Sequence, residues 1–306
     1  FRKEIKNLSK SILIAGGTGF IGFHLAKKCL SLNWSVTSLS TKKPKKNRKL
    51  KKVNYKICDV SNYNQINKKI KPDYDYVVNL AGYVDHTNEP KTMKSHYIGC
   101  KNLSNFFLNS KMKKFVQIGS CIEYGKIESP QKEIKQNKKT FSIYGKAKLL
   151  STIFLQNFYK KYNFPVTILR LYLVYGPFQD TNRVIPVTII NALKNKSFNC
   201  SNGQQLRDFT YIDDIISAIL KTLKNLKSSG EIINIGYGKP IAIKKVIIKI
   251  CGLLNSGKPL FGKIDLRKDE MMKLYPNINK AKKILRWNSR TSLEVGLRKN
   301  FKFFSK

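Results

Sequence analysis

Seven residues near the start of the chain, Gly16-Gly17-Thr18-Gly19-Phe20-Ile21-Gly22, constrain its fold more than any other stretch. They follow a short apolar run, Ser11-Ile-Leu-Ile-Ala15, that reads as a buried parallel strand. They open residues 20–32, whose apolar positions recur at helical spacing. Glycines at this period, between a strand and a helix, allow a tight turn and close backbone approach to a pyrophosphate. The helix N-terminus then offers unpaired N–H groups to an anion. Gly16, Thr18, Gly19, Phe20, Ile21 and Gly22 are therefore expected to bind a dinucleotide.

The pattern after the loop repeats the unit. Strands are predicted at 35–40, 55–58, 76–80, 115–118 and 166–171, with helices near 92–109 and over 144–162. Strands alternating with helices mean a doubly wound parallel sheet. Past 171 the alternation loosens, and at 208 it returns. The reading is an α/β Rossmann domain over 1–171 plus 208–230, with a smaller, interleaved C-terminal substrate lobe from 172–207 and 231–306.

The end of the second predicted strand selects the form of the cofactor. An acid there would bind the adenosine ribose and favour NAD. The sequence instead reads Ser40-Thr41-Lys42, two hydroxyls and a cation suited to a 2′-phosphate, so NAD(P) binding tilts toward NADP. Asp59, with Val60 beside it, is placed to meet the adenine, and Leu80-Ala81-Gly82 forms a small-residue loop under the cofactor.

Tyr144 and Lys148 stand four apart on one predicted helix, so they share a face. A free phenol, with a pKa near 10, is a poor proton donor and acceptor at neutral pH. An ammonium ~4 Å away would favour the phenolate by roughly 4 kcal/mol at an effective dielectric near 20, about three pKa units before desolvation opposes it. Ser120, closing the fifth predicted strand, can bond the same reacting oxygen.

Five motifs then stand in order: 16–22, Gly-Ser-Cys-Ile-Glu-Tyr-Gly at 119–125, Tyr144–Lys148, Arg170-Leu-Tyr-Leu-Val-Tyr-Gly-Pro177 and Arg207-Asp-Phe-Thr-Tyr-Ile-Asp-Asp214. Together, and with the ending at 279–287, the chain resembles the NAD-dependent epimerase/dehydratase family, extended short-chain dehydrogenases acting on nucleotide sugars. The resemblance implies Tyr144 as general acid/base, Lys148 on the nicotinamide ribose and Ser120 on the sugar oxygen. It implies Arg207 on the nucleotide, Arg183 and Arg267 toward the diphosphate, and His86 and Cys121 lining the sugar pocket. It also implies a homodimer built on paired helices.

Two departures bear on the reaction. Leu173 stands where the family often has Asn, so one polar contact to the substrate is missing. The 4,6-dehydratases carry an acidic pair just after the catalytic Ser or Thr; here those places are Cys121 and Ile122, with Glu123 one later. The expected activity is an epimerase or 4-ketoreductase of a nucleoside-diphosphate hexose. The alternatives are a 4,6-dehydratase and an inactive relative with a binding role, nucleic acid included.

Composition excludes several other classes. The 59 Lys and Arg against 18 Asp and Glu give a net charge of +41. A nucleic-acid surface would explain it, but the lysines spread along the whole chain among many Asn, Ile, Phe and Tyr, as an AT-rich coding sequence produces. Nucleic acid is therefore not the expected partner, and the charge instead steers anionic substrates. No apolar run reaches the eighteen or so residues that a membrane span needs. The opening FRKEIKNLSK has no signal-peptide apolar stretch and no Met, which leaves room for residues before Phe1. Six scattered cysteines fit thiols in a cytoplasm, and the three histidines lack metal-ligand spacing, so no metal is expected.

Overall fold

A computed structural model describes residues 9–83, 85, 87–134, 140, 142–266 and 270–305. His86 and Arg267 lie outside the described residues. In chain order the elements begin β1 (Ser11–Ala15), α1 (Phe20–Ser31), β2 (Ser35–Ser40), β3 (Val53–Ile57), α2 (Tyr63–Lys69), β4 (Tyr76–Asn79), α3 (Glu89–Met93) and α4 (Gly99–Phe106). Then come β5 (Lys114–Ser120), α5 (Ile143–Tyr162), β6 (Val166–Leu171), β7 (Leu173–Tyr175), α6 (Val184–Leu193), β8 (Ser197–Asn199), β9 (Leu206–Arg207), β10 (Phe209–Tyr211) and α7 (Ile212–Leu223). The chain ends with β11 (Ile232–Ile235), β12 (Ile241–Ala242), α8 (Ile243–Leu254), β13 (Lys258–Leu260), β14 (Lys273–Leu274), α9 (Asn279–Leu285) and α10 (Leu293–Phe304).

A seven-stranded sheet has the order β11-β6-β5-β4-β1-β2-β3, and its recorded pairings are parallel. The order turns outward from β1 in both directions, as a doubly wound sheet requires. Its central strands are apolar on both faces: Ile12, Leu13, Ile14, Val77, Val78, Phe115 and Val116 are fully buried. That is why they read as continuous runs rather than alternating ones. The expected α/β class is the observed one.

The chain forms two compact units. The first runs to Ile118 and takes in 150–167 and 223–231; it holds β1 to β4 and the glycine loop. Trp34 stacks on Tyr76 there, with ring centroids 5.1 Å apart, and Phe115, Phe158 and Phe164 form an aromatic cluster. The second holds 119–149, 168–222 and 232–306, including the small sheets β12-β9-β14 and β10-β7. Trp287 is buried there, and its indole N–H donates to the Asp214 carbonyl at 3.2 Å.

Two features depart from the sequence reading. The helix expected near 92–109 is three pieces: α3, a π turn over Lys94–Ile98, and α4. A π turn inserts one extra residue per turn, which a 3.6-residue periodicity does not reveal. The edge strand β11 comes from 232–235, inside the stretch read as substrate lobe, and pairs with β6 in register Ile232↔Ile168 to Ile235↔Leu171.

Candidate active site

The glycine loop is built from backbone contacts that leave no room for side chains. Gly16 has φ +81°, and a Cβ there would stand 2.7 Å from the Leu80 carbonyl carbon. A Cβ on Gly22 would stand 2.4 Å from the Gly16 carbonyl oxygen, and one on Gly17 would meet Ser38 Oγ at the same distance. Gly19 caps α1 with extended backbone and no side-chain hydrogen bond, and the first turn carries no acid. The helix thus presents its N–H groups and positive dipole end to whatever lies above the loop. A cradle this close, at a bare helix N-terminus, fits a dinucleotide pyrophosphate.

The remaining expected cofactor positions are ordered around that loop. Ser40 Oγ accepts the Thr18 N–H at 3.3 Å and donates to the Leu39 carbonyl at 2.6 Å, so this hydroxyl supports the loop itself. Thr41 and Lys42 are exposed. Asp59 accepts the Ser61 N–H at 2.9 Å, while Val60 is buried and its carbonyl accepts from Asn102 at 3.1 Å. Leu80 donates to the Ala15 carbonyl at 2.8 Å, and the Ala81 N–H reaches the Asn79 side chain at 3.1 Å. Gly82 lies against His96, whose ring a Cβ would overlap at 1.9 Å.

The expected reacting residues belong to the second unit. Ser120 ends β5 and starts a 3₁₀ turn over Cys121–Tyr124, whose capping box ties the Ser120 N–H to Glu123 Oε1 at 2.7 Å. The Ser120 hydroxyl bonds the hydroxyl of Tyr144. Lys148, buried one turn along α5, places Nζ 5.9 Å from the centre of the Tyr144 ring. The structure thus brings Ser120, Tyr144 and Lys148 together.

One electrostatic expectation is corrected. Desolvation pushes the Tyr144 phenol up to about 12, not down. The Ser120 hydrogen bond and the charge of Arg183 oppose that rise, and the nearby Cys121 and Glu123 add to it. Loss of hydration outweighs the cations that face the ring, a balance that helical spacing does not disclose.

The expected substrate residues separate into two groups. Arg183 is exposed at the start of α6 yet close enough for its charge to reach Tyr144. Cys121 is buried beside Ser120, and its thiol is pushed up to about 12 by desolvation, which makes it part of the wall rather than a nucleophile. Arg207 is buried on β9, pairs with Glu270 and donates from Nη1 to the Leu206 carbonyl at 2.9 Å.

Sequence reasoning missed the roles of four residues here. Glu270 partners Arg207, and its place shortly after Arg267 was the available signal. Asp208 accepts N–H groups of Tyr237 and Gly238, both at 2.6 Å, and so fastens the turn after β11. Arg170 pairs with Glu123, each lying inside a motif already singled out. Among the described residues no group of three or more His, Cys, Asp or Glu could hold a metal, and no helix is long and apolar enough to cross a membrane.

A doubly wound sheet, a glycine-cradled helix N-terminus and a Ser–Tyr–Lys set define a dehydrogenase-like class of dinucleotide-binding protein. Within that class the chain belongs to the NAD dependent epimerase/dehydratase family, whose model matches residues 12–236. It is 28% identical to a UDP-glucuronate 4-epimerase of Thermodesulfobacterium geofontis, over 94% of each chain. It is 26% identical to a human dTDP-D-glucose 4,6-dehydratase, over 97% of this chain and 90% of that one. It superimposes on a Thermotoga maritima UDP-glucose 4-epimerase solved with UDP-glucose, with a TM-score of 0.89, 24% identity and coverage of 96% and 98%. The protein is thus an enzyme of a family of nucleotide-sugar epimerases and dehydratases.

Proposed function

We propose that the protein is an NAD(P)-dependent epimerase or 4-ketoreductase of a nucleoside-diphosphate hexose. The observation that carries this is the Ser120 hydroxyl bonded to the Tyr144 hydroxyl, with Lys148 one turn away on the same helix. In this reading the Tyr144 phenol, which desolvation holds protonated at neutral pH, gives its proton to the sugar ketone and retrieves it from the alcohol. Ser120 orients the sugar oxygen, Lys148 holds the nicotinamide ribose and supplies positive charge, and Arg207 takes the nucleotide. A bound nicotinamide would supply hydride-transfer chemistry at that carbinol carbon. Residues 16, 18–22, 40–42, 59–60 and 80–82 would hold that cofactor.

The alternative, a 4,6-dehydratase, is compatible with the relatives but needs an acid and a base at C5 and C6. Glu123, the nearest acid in sequence, spends its carboxylate on the Ser120 N–H and Arg170. That supports chemistry at one carbon. The test is a panel of UDP-glucose, UDP-glucuronic acid, UDP-N-acetylglucosamine, dTDP-glucose and CDP-glucose with NAD and NADP. The expected result is turnover of at least one sugar, and a loss of roughly 10²–10⁴ in Tyr144→Phe with cofactor affinity kept. Turnover of that variant within tenfold of wild type would refute the assignment.

Finer features belong to the same proposal. NADP is preferred, through the exposed Thr41 and Lys42, so Lys42→Ala should weaken NADP binding more than NAD; a tighter wild-type affinity for NAD would overturn this. The proposed division puts the cofactor on 1–171 plus 208–230 and the substrate on the remainder, with β11 (Ile232–Ile235) completing the central sheet from within the substrate stretch, and differential hydrogen exchange with each ligand would check it. The six cysteines are thiols, as the reducing cytoplasm keeps them, and cell fractionation tests that location.

The protein is also proposed to be a homodimer. On α5, Ile153 is 39% exposed and Leu150 and Phe154 are half-buried, while the Lys101 ammonium of α4 lies 5.8 Å over the Phe154 ring. Two neighbouring helices with outward apolar residues suit pairing with their copies by two-fold symmetry. Sedimentation at micromolar concentration should give twice the 35.2 kDa chain mass, and the single-chain mass would overturn it.

A further inference from the structure

We propose that Glu123 and Arg170 are positioning residues, a buried ion pair that fixes Ser120 from behind and balances the field at Tyr144. The proposal rests on the reading of Ser120 and Tyr144 as the reacting pair. Glu123 Oε1 accepts the Ser120 N–H at 2.7 Å, and its Oε2 accepts the Arg170 Nε–H at 2.9 Å, with Nη2 at 2.9 Å from the same oxygen. Gly119 makes the approach possible, because a Cβ there would stand 2.5 Å from Glu123 Oε1. The Arg170 guanidinium lies 4.3 Å over the Tyr124 ring, and the Tyr124 hydroxyl donates to Asn234 Oδ1 at 2.7 Å. Asn234 is the register partner of Arg170 across β11 and β6. The carboxylate therefore cannot move without disturbing two strands.

Stability does not explain why the pair is there. Both side chains are at most 1% exposed, so both charges are taken wholly out of water. Buried pairs are expensive to desolvate, and apolar replacements of both partners are often neutral or stabilising. What this pair does is local to Ser120: the 3₁₀ turn, the serine backbone and hence its hydroxyl are referred to one anchored carboxylate. The charge of Glu123 also helps to hold the Tyr144 phenol protonated, together with Cys121 and against Arg183. Arg170 neutralises that carboxylate at contact distance, so the two charges offset each other toward the phenol.

The experiment compares Glu123→Gln, Arg170→Met, the double variant Glu123→Leu with Arg170→Met, and Tyr144→Phe. Tyrosinate ionisation is followed by ultraviolet difference titration against Tyr144→Phe, and kcat and KM are measured with whichever panel sugar the wild type converts. Glu123→Gln keeps an acceptor for the Ser120 N–H but leaves Arg170 uncompensated, so Tyr144 should titrate at lower pH. Arg170→Met leaves the carboxylate uncompensated, so the titration should move up. The double variant should fold at wild-type thermal stability or above, yet lose at least about tenfold in kcat with KM nearly unchanged, the signature of a misplaced group. Singles that titrate like wild type, or a double variant with kcat within about twofold, would overturn the proposal. If a single variant fails to fold, the double variant decides. Wild-type turnover by Tyr144→Phe would instead sink the functional reading beneath it.

Discussion

Lys114 opens β5 with its side chain fully buried, and its ammonium donates to Ser229 Oγ at 2.8 Å. Desolvation pulls its pKa down to about 7. A lysine lowered on folding binds fewer protons folded than unfolded between about 7 and its ordinary value near 10.4, so stability rises with pH across that window. Below pH 7 the buried charge exacts its full cost. Lys114→Met should therefore raise the midpoint of thermal unfolding by the equivalent of about 1–3 kcal/mol at pH 6, with the gain shrinking toward pH 10. A variant less stable than wild type at pH 6 would show that the Ser229 bond outweighs desolvation. The same loss of hydration sets the direction at Tyr144, where Ser120 and Arg183 offset it only in part.

Among the elements, the strand–loop–helix unit of β1 and α1 has the least tolerance. Gly22→Ala would drive a methyl group against backbone, 2.4 Å from the Gly16 carbonyl oxygen and 2.6 Å from Gly17 Cα. We expect it to cost about 1–3 kcal/mol and to abolish the thermal shift produced by NAD or NADP. Gly252, inside α8, has nothing within 4 Å of the place a Cβ would take. Gly252→Ala should therefore raise stability by about 0.5–1 kcal/mol, the helical entropy difference, and leave cofactor binding untouched. Equal behaviour of the two variants in calorimetry would mean that close approach at the loop is not what glycine provides. Helix α5, read from the spacing of Tyr144 and Lys148, is present from Ile143 to Tyr162, whereas the π turn before α4 escaped the same reasoning.

For the whole molecule the dominant number is the charge of +41. With 18 acids for 59 Lys and Arg, most cations cannot pair; among the described residues the ion pairs include Lys113–Asp75 at 2.7 Å, its lysine exposed and its carboxylate half-buried, and Lys249–Glu294 at 2.9 Å, both exposed. Such pairs contribute little, so repulsion among the remaining lysines dominates the surface. Raising ionic strength from roughly 0.01 M to 0.15 M shortens the screening length from about 30 Å to 8 Å, so the thermal midpoint should climb with sodium chloride. A midpoint that falls over that range would mean that attractive pairs prevail. The sugar-nucleotide affinity should weaken over the same titration, because the steering field is screened along with the repulsion.

What the sequence determined by itself lies in local signals: the glycine period after an apolar strand, the alternation of strands and helices, and Tyr144 four residues before Lys148. Each depends on residues within a few turns of one another, so backbone geometry alone makes it legible. Tertiary structure decided the rest. Glu123 and Arg170 are 47 residues apart, and Arg207 and Glu270 are 63 apart. No periodicity joins them; β6 lies between β5 and β11, and β9 between β12 and β14, so sheet pairing sets the strands that carry Arg170 and Arg207. The same holds for the pKa of Tyr144. Its sign follows from how much water the fold removes from the phenol, and desolvation is a property of the packed site rather than of any stretch of chain.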